Sequence, residues 1–214
     1  MRLTVLAVLV IISSAVAAQQ RVMLKPPYGP QNKLLSPNRA YALVGDRERS
    51  EVLLEDERTS ERRPVQTATL QTLTLAWSPD SAAFLVNDRM SSDVEYAYIF
   101  DVRTLERLDL RERVVAYVVA HEPGSQHFLP GVNPAAGHSY FDGVRWLDAH
   151  HVELRLFGHT DGTPNPTPLP GDDDSHVIPS VCFDLRFRIR RDGAVEKLSQ
   201  RVAPLTSPEC NSIE

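Results

Sequence analysis

Residues 77–86 read WSPDSAAFLV, and residues 36–44 read SPNRAYALV. In both stretches a Ser-Pro pair leads through a short polar turn into an apolar run of strand-like composition. Proline presets φ for such a turn, and a side chain such as that of Asp80 can bond its own backbone. Ser36 and Ser78 lie 42 residues apart, so we predict a repeated unit of about that length.

The repeated unit has the length of a β-propeller blade, for which a period of about 40–45 residues is typical. The clearest unit covers residues 71–110, where alternating and apolar runs punctuated by turns predict four strands. We predict related units over residues 36–55 and 144–198. The third unit lacks the Ser-Pro pair but again places a tryptophan, Trp146, before a turn, as Trp77 is placed in the second.

One helix and several loops are expected between these strands. Val114, Val115, Val118 and Val119 recur at helical spacing, with Leu110 one turn before. Asp109 followed by Glu112 resembles a capping box, so we predict a short helix near residues 110–120. We expect solvated or irregular loops over residues 56–64, 121–143 and 158–179, which are rich in charged residues or in Pro, Gly and Asn.

A family resemblance is carried by WSPDSAAFLVND at residues 77–88 and AYIFDVRTLERLDL at residues 97–110. These stretches resemble the β-propeller repeat of the TolB and WD40-like family. The match is good over residues 71–110, fair over 36–55 and loose over 144–198. The resemblance implies four-stranded sheets and a role in binding protein partners, often in the bacterial cell envelope.

The number of units limits the architecture. Known propellers use about 4–8 blades, so three units are too few to close a ring. We therefore expect a mostly β protein with about three blade-like antiparallel sheets, not closed into a ring, and one short helix. The alternative is a small four-bladed propeller.

The N-terminal residues predict export. Arg2 is followed by the apolar run Leu3–Ile12 and by Ala15-Val16-Ala17, which fits cleavage after Ala17 or Ala18. Residues 1–18 are thus predicted to be a signal peptide, and residues 19–214 a single β-rich domain of the periplasm or the extracellular space. The alternative is an uncleaved membrane anchor. No later segment is apolar enough to span a membrane.

The charge of the chain excludes some partners. The formal net charge is −5 at pH 7, and it becomes about −6 when Arg2 is removed with the signal peptide. An acidic, exported chain is a poor ligand for nucleic acid and for anionic membranes. We expect neither as a partner.

The two cysteines of the chain, Cys182 and Cys210, predict a disulfide in an oxidising compartment. Residues 181–190 alternate strictly, which places Cys182 on the polar face of a strand, where a thiol fills no core. We expect the bridge to tie the C-terminal tail across this strand. The alternative is two free thiols.

The same polar face carries an arginine ladder. Arg186, Arg188 and Arg190 recur at every second residue, so their side chains stand about 7 Å apart on one strand face. They are candidates for contact with an anion or a partner. The alternative is a face kept charged to prevent edge pairing, with Asp184 partly neutralising it.

Histidines and aspartates of the C-terminal half raise the question of a metal. His159, Asp172, Asp174 and His176 flank or lie in one loop and are the candidate ligands, whereas a solvated acidic loop is the alternative. The chain contains no HExxH motif, phosphate loop, dinucleotide fingerprint or metal-ligand spacing. We predict no catalytic residue and no cofactor.

Two functions are compatible with these features. The first is an exported, non-catalytic module that binds a protein or an envelope component through the loops at residues 121–143 and 158–179. The second is an exported hydrolase or metal-binding protein that uses His and Asp residues of the loops. An exposed cleft that holds at least two of His138, His159 and His176 within hydrogen-bond reach of a carboxylate would favour the second.

Overall fold

A computed structural model describes residues 21–24, 33–46, 51–67, 72–89, 95–129, 138–160 and 180–212. The signal peptide predicted for residues 1–18 lies outside these residues. The described strands are β1 (Arg21–Leu24), β2 (Lys33–Leu35), β3 (Tyr41–Asp46), β4 (Glu51–Asp56), β5 (Arg62–Val65), β6 (Thr72–Trp77), β7 (Ala83–Arg89), β8 (Glu95–Asp101), β9 (Arg107–Asp109), β10 (His138–Trp146), β11 (His151–His159), β12 (Val181–Arg190) and β13 (Val195–Pro204). The helix α1 covers Leu110–His121, and 3-10 helices cover Pro123–Phe128 and Cys210–Ser212.

The strands form three antiparallel sheets, none of which closes. The first sheet has the order β2-β3-β4-β5, the second β1-β6-β7-β8-β9 and the third β10-β11-β12-β13. The prediction of about three blade-like sheets without a closed ring is confirmed. The four-bladed alternative needs a fourth sheet, and the described part of the chain contains none.

The second sheet lies between the other two and is buried on both faces. One face joins the first sheet in a core that includes Leu43, Leu54 and Phe84. The other face joins the third sheet and α1 in a core that includes Leu85 and Phe187. This sandwich follows from the sequence, because a strand covered on both faces reads as a continuous apolar run.

The repeated phrase folds into the same turn twice. The Ser36 hydroxyl accepts a hydrogen bond from the backbone of Tyr41 at 3.0 Å, and the Ser78 hydroxyl accepts one from Ala83 at 3.0 Å. Each hydroxyl also donates to the side-chain oxygen two residues further along, at 2.9 Å and 2.7 Å. The two phrases therefore mark equivalent positions in the first and second sheets.

Two tryptophans connect successive sheets at equivalent positions. Trp77 donates its indole N–H to the Leu34 carbonyl of the first sheet at 3.0 Å. Trp146 donates its indole N–H to the Ala76 carbonyl of the second sheet at 3.2 Å. Leu34 and Ala76 each lie two residues before the serine of the repeated phrase. Each sheet is thus hydrogen-bonded to the sheet before it in the same way.

The fold contains a second repeated turn, which was not predicted from the sequence. Residues 56–61 read DERTSE and residues 101–106 read DVRTLE, 45 residues apart. The leading aspartate of each accepts hydrogen bonds at 2.8–3.0 Å from the backbone of the second and third residues that follow. Ser60 and Leu105 occupy equivalent left-handed positions, with φ of 59° and 58°. The loop predicted for residues 56–64 is correct over the exposed residues 57–61, which form this turn. It is wrong over residues 62–64, which belong to β5, an edge strand that tolerates Pro64.

The predicted helix is confirmed, with α1 ending at His121. Its N-cap is Asp109, whose carboxylate accepts a hydrogen bond from the Glu112 backbone at 3.1 Å. Leu110, Val114 and Val118 are the buried residues of its inner face. The hydrophobic spacing therefore outweighed the poor helix propensity of valine.

The long loop predicted for residues 121–143 is wrong at both ends. A 3-10 helix covers Pro123–Phe128 at its start, and β10 begins at His138 near its end. Phe128 is buried and its ring stacks on that of Phe183, with centroids 4.7 Å apart. The third sheet accordingly runs from residue 138 to 204, longer than the predicted unit of residues 144–198.

Candidate binding site

The predicted disulfide between Cys182 and Cys210 is present, with Cα atoms 5.7 Å apart. Cys182 shares the outer face of β12 with Asp184 and Arg186, as predicted, but the expectation that its thiol fills no core is wrong. Cys182 is fully buried and forms a small cluster with Ala203 and Cys210. The bridge explains the difference, because the C-terminal segment that it anchors covers this end of the strand.

Two carboxylates are buried on the outer face of the third sheet, which points away from the second sheet. Glu153 lies on β11 and is 4% exposed, and Asp184 lies on β12 and is 1% exposed. A buried charge is costly unless it is paired. These carboxylates are paired with arginines that lie over them.

Four arginines from four strands hold the two carboxylates. Glu153 accepts hydrogen bonds from Arg145 at 2.9 Å and from Arg186 at 2.8 Å. Asp184 forms ion pairs with Arg155 and Arg201, each at 3.2 Å, and with Arg186 at 3.6 Å. We call the group Arg145, Arg155, Arg186 and Arg201 with Glu153 and Asp184 the arginine cluster. Its formal charge is +2, four cations against two anions.

The cluster is fixed on its inner side and open on its outer side. The hydrogen bond to Glu153 raises the pKa of Arg186 above its ordinary value. The side chains of Arg145, Arg186 and Arg201 are 62%, 39% and 55% exposed. Each guanidinium has five N–H donors in a rigid fork, and the buried carboxylates use only some of them. The remaining donors can receive the oxygens of an external anion.

Of the three arginines in the predicted ladder, only Arg186 belongs to this cluster. Arg188 instead pairs with Glu196 at 3.2 Å, and Arg190 pairs with Asp192. The hydrogen bond from Arg190 lowers the pKa of Asp192 to about 2. The ladder is therefore a row of paired charges. Arg188 and Arg190 do not form one anion site with Arg186.

A cleft of about 480 Å³ lies beside the arginine cluster, where the second and third sheets meet. The third sheet contributes Tyr140, Asp142 and Phe157 to its lining. The second sheet contributes Arg21, Met23, Thr74 and Arg89.

One wall of the cleft is aromatic. Tyr140 and Phe157 are cross-strand partners with ring centroids 5.3 Å apart. The Arg155 guanidinium lies 4.1 Å from the Phe157 centroid, which is cation–π geometry. Arg155 thus connects the cleft to the arginine cluster. Met23, on the second sheet, is 63% exposed.

A buried amide holds the lining residue Asp142 in place. Asn87 donates to the Asp142 carboxylate at 2.6 Å and to the Gly143 carbonyl at 2.9 Å, and it accepts from the Gly143 N–H at 2.9 Å. A Cβ at Gly143 would lie 2.7 Å from Leu85 Cδ1. The close approach of the two sheets therefore requires glycine at this β-bulge.

The cleft also contains polar groups without an internal partner. Within the described residues, the guanidinium of Arg89 and the hydroxyl of Tyr140 form no hydrogen bond or ion pair. Its contacts with other described residues leave Arg21 loosely held, at 3.4 Å from Asp142 and 3.3 Å from the Gly143 carbonyl. Cation and hydroxyl groups are thus available to a ligand next to an aromatic wall.

The metal candidates are tested only in part. His159 lies on β11, opposite Cys182 on one side and His138 on the other. Asp172, Asp174 and His176 lie outside the described residues. In the part of the chain that the structure describes, no three His, Cys, Asp or Glu residues form a metal-binding group. The metal and hydrolase hypotheses remain predictions.

Comparison with known proteins adds no identification. The chain matches no protein-family model, no curated protein and no solved structure. Among the helices of the described residues, none has the length and apolar character needed to cross a membrane.

Sequence reasoning identified part of the site. It singled out Arg186, but it missed Arg145, Arg155 and Arg201, which lie on other strands. It also missed the cleft. The available signal was the alternation of β11, in which Glu153, Arg155 and Phe157 share one face with the predicted ladder.

Proposed function

We propose that this chain is an exported, non-catalytic binding module that holds an anionic partner, a protein or another envelope component, on its arginine cluster. The observation that supports the proposal is an exposed sheet face where four arginines are fixed by two buried carboxylates. The predicted signal peptide, the disulfide and the resemblance to the TolB and WD40-like repeat agree with an exported binding role.

The geometry of the cluster suits carboxylate or phosphate oxygens. Arginine binds such groups in a bidentate manner, and an ordered guanidinium loses less side-chain entropy on binding than a free one. The buried carboxylates Glu153 and Asp184 supply this order. They also leave a charge of +2 on the face of a chain whose formal net charge is −5, so the patch would steer an anionic partner to one surface.

The proposed contact surface differs from the two loops predicted from the sequence. In the loop at residues 121–143, the described residues form a 3-10 helix and the start of β10. Residues 130–137 of this loop and residues 161–179 of the second loop lie outside the described residues. The arginine cluster is built on paired strands. Sites on strands are held more accurately than sites on loops.

The test is a pull-down from envelope extract with mature protein carrying Arg145→Gln and Arg201→Gln. Both arginines are more than half exposed, and their removal leaves Glu153 paired with Arg186 and Asp184 paired with Arg155 and Arg186. The fold is therefore retained. We expect the double variant to lose the partners that wild-type protein retains and that raised salt releases.

The matched control is Arg39→Gln with Arg58→Gln, which removes the same charge from exposed turns of the first sheet. The control should retain the wild-type partners. An unchanged partner list for Arg145→Gln/Arg201→Gln, or an equal loss in the control, would remove the cluster as the binding surface.

A further inference from the structure

We infer that the cleft between the second and third sheets binds a carboxylate carried on a flat apolar ring. The ligand is either a free aromatic acid or an aromatic residue at the C-terminus of a peptide. The inference concerns a second site, beside the arginine cluster, and does not depend on the function proposed for that cluster.

Charge in the cleft selects a single anion. Arg21 and Arg89 contribute two positive charges and Asp142 one negative charge, which leaves +1. Asp142 is already held by Asn87 at 2.6 Å and by Arg21 at 3.4 Å. Arg89 has no ion-pair partner among the residues described. A ligand carboxylate paired with Arg89 would neutralise the cleft and form the charge-assisted hydrogen bonds that this guanidinium lacks.

The apolar groups of the cleft select a ring. Tyr140 and Phe157 form a tilted aromatic pair, and such pairs offer further rings an edge or an offset face. Met23 is 63% exposed in the same lining. A thioether makes favourable contacts with aromatic rings. The faces of Tyr140, Phe157 and Met23 give an aromatic ring closer apolar contact than the hydroxyl-bearing ring of a sugar acid can make, so an aromatic acid fits better.

Size and rigidity fit a small ligand. The volume of about 480 Å³ lies in the usual range of small-molecule sites, about 300–1,000 Å³. Asn87 holds the lining residue Asp142 and the adjacent Gly143 by hydrogen bonds, so this side of the cleft is formed before the ligand arrives. The hydroxyls of Tyr140 and Thr74 are then placed to orient the bound carboxylate or its neighbouring groups.

The experiment measures affinity by calorimetry for 3-phenylpropionate, N-acetylphenylalaninate, 3-phenylpropionamide and glucuronate. We expect at least one of the two aromatic acids to bind, and the uncharged amide to bind about tenfold more weakly or not at all, since the amide cannot form charge-assisted hydrogen bonds with Arg89. Binding of both acids identifies a free acid as sufficient. Binding of N-acetylphenylalaninate alone identifies a peptide C-terminus.

Variants locate the site. Arg89→Gln should weaken binding of the acid about tenfold, and backbone-amide NMR should show shifts at Gly143 in wild-type protein. The control Arg58→Gln, at an exposed turn of the first sheet, should bind as wild type does. Arg145→Gln/Arg201→Gln should also bind as wild type does, because those arginines lie outside the cleft.

Four results would overturn the inference. They are no binding of either aromatic acid at millimolar concentration, unchanged affinity in Arg89→Gln, binding of glucuronate as tight as that of the aromatic acids, and loss of binding in Arg145→Gln/Arg201→Gln. The last result would assign the anion to the arginine cluster instead. It would therefore separate a failure of the cleft from a failure of the proposed function.

Discussion

Gly143→Ala is the sharpest test of how the second and third sheets are joined. The added Cβ would lie 2.7 Å from Leu85 Cδ1 and 2.8 Å from Asn87 Oδ1. Neither neighbour can move easily. Leu85 is 1% exposed within the core, and Asn87 is 2% exposed and bonded to Gly143 and Asp142. The two sheets must therefore separate locally or the amide must rotate away.

The expected loss of stability has two parts. Inserting a methyl group into a filled core costs about 1–3 kcal/mol. Loss of one of the hydrogen bonds between Asn87 and Gly143 adds about 0.5–1.5 kcal/mol. The free energy of unfolding should fall by about 2–4 kcal/mol in total. For a chain of this length that corresponds to a fall in Tm of about 5–15 °C.

Urea unfolding followed by tryptophan fluorescence measures the loss, since Trp146 lies in the affected core. The control is Gly124→Ala, where a Cβ meets nothing within 4 Å, and its stability should stay within about 0.5 kcal/mol of wild type. Gly143→Ala with an unchanged urea midpoint would refute the close approach. A further check is Leu85→Ala combined with Gly143→Ala, which should destabilise less than the sum of the two single changes.

Three other features give further predictions. Cys182→Ala with Cys210→Ala should lower the free energy of unfolding by about 3–4 kcal/mol, because the bridge closes a loop with a sequence separation of 28; alkylation of wild-type thiols without reductant would contradict the bridge. Ser36→Ala and Ser78→Ala should each cost about 1–2 kcal/mol in urea unfolding, and a loss at only one of them would contradict the equivalence of the two turns. Burial raises the pKa of Tyr98 to about 12. Because the same group ionises near pH 10 in the unfolded state, the free energy of unfolding falls by up to about 2–3 kcal/mol as pH rises from about 10 to 12. Tyr98→Phe should lose that part of the alkaline fall, and an identical alkaline profile for the two proteins would refute it.

Local patterns in the sequence were sufficient for most of the fold. The Ser-Pro phrase marked two equivalent turns, and strict alternation gave β12 with both of its ends correct. Trp146 was recognised as the counterpart of Trp77 without its Ser-Pro pair. These signals succeed because turn chemistry and side-chain alternation depend on residues close together in the chain.

The short strands β1, β2 and β5 were not predicted, for a different reason. Each has three or four residues, too few to establish a period, and β5 contains Pro64. They are strands because a longer neighbour offers them a hydrogen-bonding edge. The repeated DERTSE and DVRTLE turns could have located β5, since the second of them leads into β9 in the same way.

The candidate sites depend on contacts between distant residues. Asp184 alternates like an exposed residue, yet it is buried because arginines from β11, β12 and β13 lie over it. The cleft joins Arg21 to Asp142, which are 121 residues apart. No local pattern predicts which strands of two sheets will meet, so these features required the structure.

The position of the second sheet also determines which parts of the molecule unfold last. Its strands β7 and β8 alternate between two cores, with Val86 and Phe100 in one and Leu85 and Ile99 in the other. Their amides can exchange with solvent only when both cores are broken, which is close to global unfolding. Hydrogen exchange should therefore be slowest at the centre of β7 and β8. If the first or the third sheet detached, one apolar face of the second sheet would be exposed to water. Partial unfolding is therefore itself a route to aggregation.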